Sequence, residues 1–227
     1  MNNLNIIFHK TITIATILEH DLLHSFLWNA SDQVETNEAF YQHTLRCFQG
    51  SKHLEMITQI LTIEQEKFAL SDPIDEKILC EYSNYNLERE IILQLPLVAL
   101  KKIKLQQSTY ISCYASDWKF VFFNETDQGQ LLNKILEFPK DEYYFVFQCI
   151  DVFDDVLQTN VLEFHLTKYE YYILQLFEKT KSVASVMDDF IAVFDVESEE
   201  ELNSLVREMT RIIKFLIFRK FIVKPSS

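Results

Sequence analysis

Two glycines, Gly50 and Gly129, serve the whole 227-residue chain. Glycine supplies the positive φ that tight hairpin turns need, so this scarcity disfavours a β-sandwich and favours helices. It also removes several chemistries at once. With glycine only at 50 and 129, GxGxxG, GxxxxGK[ST] and the GxSxG nucleophile elbow are all impossible. What the chain has instead is apolar bulk: 48% of its residues are hydrophobic, with 19 Phe and 10 Tyr, enough for a substantial core of large side chains.

The net charge of −13 opposes non-specific binding to nucleic acid, which depends on neutralising phosphates. Cys47, Cys80, Cys113 and Cys149 stand apart with no CxxC pair, which reads as buried reduced thiols in a cytoplasmic protein. There is no basic stretch leading into a long apolar N-terminal run, and no run of about 18 uncharged apolar residues, so neither a signal peptide nor a membrane span is expected. His20 and His24 lie four apart on one helical face, a spacing that suits a metal, but no HExxH and no third ligand accompany them. Glu81, Glu88 and Glu90 lack the Glu-x-x-His partners of a di-iron bundle and read as a solvated face. No metal and no cofactor are therefore assigned to this chain, and it reads as a non-catalytic binding protein.

Helical spacing begins near Thr11 with Ile14, Ile17, Leu18, Leu22 and Leu23. Asn37 is placed to cap a helix from Glu38 to Phe48 with Phe40, Leu45 and Phe48 on one side, and Gly50 ends it where positive φ is wanted. A further helical stretch carries Leu54, Ile57, Ile60 and Leu61, and Thr62-x-x-Gln65 fits a capping box that restarts a short helix to Leu70. Asp72-Pro73 opens a helix running to about Leu95, before Pro96. Residues 97–108 read as a link. Tyr110–Tyr114, Lys119–Phe123 and Tyr143–Ile150 are strand candidates, and Leu131–Phe138 a short helix.

The last third has the clearest punctuation. Val161–Leu166 reads as a strand. Thr167-x-x-Glu170 is a capping box for a helix with Tyr169, Ile173, Leu174, Leu176 and Phe177 as its apolar stripe. Ser182 caps a second helix, and Ser198-x-x-Glu201 opens a third, expected to bury Leu202, Leu205, Val206, Met209, Ile212, Ile213, Leu216 and Ile217. Arg207, Arg211 and Lys214 form a basic row on its other side, which equally offsets the helix dipole. Lys220–Val223 closes the unit. Strands followed by three helices define a winged-helix-like unit over about 143–224, of the kind that binds a duplex or an extended peptide. Glu197, Glu199, Glu200 and Glu201 at the start of the third helix would repel phosphates, which favours a peptide.

The stretch HLTKYEYYILQLFEKTKSVASVMDDFIAVF with EEELNSLVREMTRIIKFLIFRKFIV is similar to the PqqD-like recognition element, the small winged-helix module that binds leader peptides of ribosomally made, modified peptides. The helical region before it, with AFYQHTLRCF at Ala39–Phe48, resembles the MbnC-like accessory proteins of methanobactin biosynthesis and the related HvfC-type peptide-modification chaperones. The resemblance implies that another chain, an MbnB-like TIM-barrel iron oxidase, does the chemistry. It would oxidise cysteines of a precursor to oxazolone and thioamide, with the iron held by that partner.

The expected fold is thus α+β and mostly helical: a helical partner-binding region over 1–108 and an α+β region over 109–227 carrying a winged-helix-like βββ/ααα module. The expected peptide contacts are Val161, Glu163 and His165 on an edge strand and Arg207, Arg211 and Lys214 on the last helix. Which edge of the unit is free stays open in the sequence, since Tyr110–Phe123 is a segment able to cover one of them. Other readings are a winged-helix transcription regulator, a protein-interaction module, and a metal or thiol enzyme using His20, His24 or a cysteine.

Overall fold

A computed structural model of the chain describes residues 4, 7–18, 37–70, 76–120, 135–136, 140–149 and 161–225, with the backbone alone over 76–84. The fold is α+β and mostly helical. Its residues group into two compact units, neither continuous in sequence: Met1–Ala69 with Tyr114–Phe145, and Leu70–Cys113 with Val146–Ser227. The boundary expected at 108/109 falls inside the second unit.

The first unit holds α1 (His9–Ile17), α2 (Asn37–Cys47) and α3 (Leu54–Ala69). Its core is aromatic and aliphatic, as the composition requires. Phe8 and Phe40 are fully buried with ring centroids 5.0 Å apart, and Met56, Ile57, Ile60, Leu61 and Ile63 of α3 are buried with them. On α2 the inward stripe is Phe40 and Thr44, continued by the buried Phe48 just past its end, while Leu45 is half-buried. Thr44 is tolerated there because its hydroxyl donates to the Phe40 carbonyl at 2.9 Å. Gly50 lies at φ +83 after α2, as expected. An added Cβ would meet nothing, so the demand for glycine there is conformational, not steric.

The second unit holds α4 (Glu76–Leu93), α5 (Leu97–Leu100), β1 (Lys104–Gln107), α6 (Lys168–Leu176), β5 (Lys181–Ser182), α7 (Val183–Ile191), α8 (Glu199–Phe218) and β6 (Ile222–Val223). β1 is the centre of an antiparallel sheet in the order β5-β1-β6, with Lys104 opposite Ser182 and Gln106 opposite Val223. A second antiparallel sheet runs β2 (Ile111–Ser116), β3 (Tyr143–Gln148), β4 (Leu162–Leu166) in that order, and the chain passes from one unit to the other within β2 and within β3.

The helix starts of the last third agree with the expected caps. Both boxes close: Thr167 with Glu170, and Ser198 with Glu201, while Ser182 accepts from the Ser185 amide at 3.1 Å. The first amides of α7 find further acceptors next to β1, Val183 on the Ile103 carbonyl and Ala184 on that of Lys101. At the other end of α6, the Gln107 side chain donates to the Leu174 carbonyl at 3.0 Å and its amide to that of Phe177 at 2.8 Å. β1 thereby satisfies orphan groups at the end of one helix and its flanking residues do so at the start of the next.

Several expectations are corrected. Thr62 starts no new helix. It sits in the middle of α3 and its hydroxyl donates to the Thr58 carbonyl, because the buried stripe continues through Ile63 and Glu64. Residues 97–108 are not a link but α5 and β1, each four residues long and too short for periodicity to reveal. Lys119 and Phe120 are outside any strand, and 121–123 lie outside the described residues. So do most of Leu131–Phe138 (Ile135 and Leu136 are helical), Asp72-Pro73, Leu22, Leu23, His20 and His24. Of the eight residues expected inside on α8, Leu202 is exposed and Leu205 and Val206 are half-buried; full burial starts at Met209. Tyr169 of α6 is likewise exposed.

Candidate functional site

Among the described residues β4 ends its sheet, with β3 between it and β2. Alternation along the strand puts Val161, Glu163 and His165 on one face and Leu162, Phe164 and Leu166 on the other. The second face is the inner one. Leu166 is buried, and the Phe164 ring lies 5.3 Å from Phe221 and 4.8 Å beneath the Arg219 guanidinium. On the first face His165 is exposed and its Nε2 stands 3.9 Å from Oε1 of the half-buried Glu163.

The last turn of α8 shapes the ground beside that strand. Lys220 takes φ +58 as the first residue past the cap, the Phe221 amide returns to the Leu216 carbonyl and the Lys220 amide to that of Ile217. This is a Schellman ending with lysine where glycine is usual. It turns Phe221 back onto Phe164 and leaves the Arg219 carbonyl to accept from Gln148 Nε2 of β3 at 2.9 Å. Sequence reasoning singled out neither Phe164 nor Arg219 as the joint between β4 and α8. The period-2 alternation marks Phe164 as inward, but nothing local pairs it with Arg219.

The basic row divides by environment. Arg207 is exposed, and its Nε donates to the Asn203 carbonyl of its own helix at 3.4 Å. Arg211 forks onto Glu208, with Nη2 2.6 Å from Oε1, and this bond holds the Glu208 carboxyl below its usual range and the Arg211 guanidinium above its own. The charge of Glu170, in the capping box just past β4, adds a smaller share to the Arg211 shift. Lys214 is half-buried and donates to the Leu93 carbonyl at 2.9 Å, where it caps the end of α4.

Burial governs two of the described thiols. Burial pushes the Cys113 thiol up to about 12, and raises that of Cys149, which lies 3.6 Å from the Tyr110 carbonyl. Cys47, Cys113 and Cys149 are all free. Cys47 meets His43 at 3.3 Å, one helical turn away, and burial followed by the charge of Arg46 lowers the His43 pKa. Among the described residues no three His, Cys, Asp or Glu side chains gather as a metal site would need, and no helix is long and apolar enough to cross a membrane.

No protein-family profile matches the chain, and no curated protein does either.

Proposed function

We propose that this chain is a non-catalytic accessory subunit. It holds a separate TIM-barrel iron oxidase and recognises the leader of a ribosomally made precursor peptide, whose cysteines the oxidase converts to oxazolone and thioamide. The observation that carries this reading is β4: the end strand of its sheet among the described residues, its inner face fixed by Phe164. A peptide added there gains main-chain hydrogen bonds, with Glu163, His165, Arg207 and Arg211 to select its charge. The order α6-β5-α7-α8-β6 supports a winged-helix module, since it places a strand between the first two helices and another after the third. Its third strand, β1, arrives from residues 104–107 rather than from a hairpin after α8. The three glutamates in the first turn of α8 oppose insertion of that helix into a duplex.

Co-expression of the chain with a TIM-barrel iron oxidase and a Cys-containing precursor encoded beside it tests the reading. A stable complex is expected, with Glu163→Lys and Arg207→Glu weakening peptide capture while the enzyme stays bound. A chain that remains alone at micromolar concentration overturns it.

A further inference from the structure

The start of α6 and the end of α7 together build an aromatic surface. Tyr169 and Tyr172 lie one turn apart on α6; Phe190 is in the last turn of α7, and Phe194 lies three residues past its end. Phe190 is the buried floor, 6.0 Å from the Tyr169 ring, 5.7 Å from that of Tyr172 and 5.0 Å from that of Phe194. Above it Tyr169 is 53% exposed, Tyr172 39% and the adjacent Val193 62%. Folding normally hides side chains of this size, and tyrosine concentrates where interfaces hold their energy.

The chain from α7 into α8 is acidic. Between Lys181 and Arg207 the chain carries Asp188, Asp189, Asp195, Glu197, Glu199, Glu200 and Glu201, and no basic residue. Asp189 is answered by Lys181 at 2.8 Å and Glu201 closes its capping box; the other five carboxylates are exposed and have no ion-pair partner among the described residues. Lys168, beside Tyr169, is the one cation next to the aromatic cluster in sequence. A nucleic acid or an anionic membrane would meet these charges with its own. A second copy of this chain would bring the same acidic rim against this one.

We propose that the face formed by Tyr169, Tyr172, Val193 and Phe194 is a docking surface for a cationic peptide segment that carries an aliphatic or aromatic anchor. The anchor covers the tyrosines and Val193, and the lysines or arginines on either side meet Asp188, Asp195, Glu197, Glu199 and Glu200. Occupancy of this surface does not depend on the reading of β4.

The test uses the full chain and a fluorescein-labelled peptide of about 12 residues in which lysine alternates with leucine and phenylalanine, compared with a peptide bearing glutamate at every lysine. Fluorescence anisotropy is expected to show saturable binding of the lysine peptide and none of the glutamate peptide. Affinity should fall as salt rises from about 50 to about 500 mM. Tyr169→Ala combined with Tyr172→Ala should weaken binding by about tenfold or more. Val193→Lys, on a side chain already in solvent, should do the same without touching the core. Val98→Ala, elsewhere in the chain and 73% exposed, should leave it unchanged. Equal affinity in the wild type and the Tyr169, Tyr172 and Val193 variants would reduce the effect to bulk charge and overturn the proposal. So would absence of saturable binding, or a monomer–dimer equilibrium in sedimentation that the same substitutions abolish, which would give the surface to a second copy.

Discussion

The carboxylate of Glu64 accepts the Thr11 hydroxyl at 2.6 Å, joining two positions 53 residues apart. It also accepts the backbone amides of Thr11 at 3.0 Å and Lys10 at 2.5 Å. Those amides belong to the first turn of α1, whose own N-cap residue, Phe8, provides no capping side chain. α3 thus caps α1 from outside. A helix N-terminus favours an anion, yet Glu64 is buried, and desolvation outweighs the bonds, pushing its carboxyl from 4.5 up to about 7. A carboxyl raised on folding stabilises fully below its unfolded value, and that contribution is lost as pH rises through about 7. The size of the shift corresponds to roughly 3 kcal/mol. Thermal melts should therefore fall as pH rises from about 5 to about 8.5, and Glu64→Gln, which keeps an acceptor and cannot ionise, should flatten that slope. An unchanged slope in the variant would show that another group titrates.

What the sequence made legible was local. Gly50 and the caps at Thr167, Ser182 and Ser198 are decided by residues three or four apart, and the structure places each where spacing put it. The cap on α1 is invisible from its own sequence because the group that provides it, Glu64, lies on another helix. β1 was missed for a related reason: its partners, β5 and β6, are two residues each, so no alternation announces a sheet. At the candidate site, β4 and its face could be read from alternation. The bond that occupies Lys214 could not, because the acceptor is the Leu93 carbonyl, 121 residues away.

The basic row of α8 should separate in stability measurements. Lys214→Met keeps the stem and removes the bond to the Leu93 carbonyl, so urea unfolding should report a loss of about 1 kcal/mol. Arg207→Ala, on an exposed side chain, should change stability by no more than about 0.5 kcal/mol. The reverse order would assign Arg207 the structural work and return Lys214 to the list of groups free to meet a ligand.

Cysteine reactivity should follow the environments of the thiols. Timed alkylation with iodoacetamide near neutral pH, read by peptide mass mapping, should label Cys47 before Cys113 and Cys149. Burial raises both of the latter, Cys113 to about 12, and the thiolate is the reacting form. Modification of Cys113 at the rate of Cys47 would mean that its burial relaxes readily in solution.

Lys220 tests the ending of α8. At φ +58 a side chain of L configuration is strained by roughly 1–2 kcal/mol, and glycine is not. Lys220 is also buried, so removing its side chain costs packing whichever residue replaces it. Comparing Lys220→Gly with Lys220→Ala cancels most of that loss. The glycine variant should be more stable than the alanine variant by about 1 kcal/mol in urea unfolding. Since the same turn sets Phe221 against Phe164, the alanine variant should also exchange the amides of β4 faster than the glycine variant does. Equal stability of the two would mean that position 220 does not hold the left-handed conformation in solution.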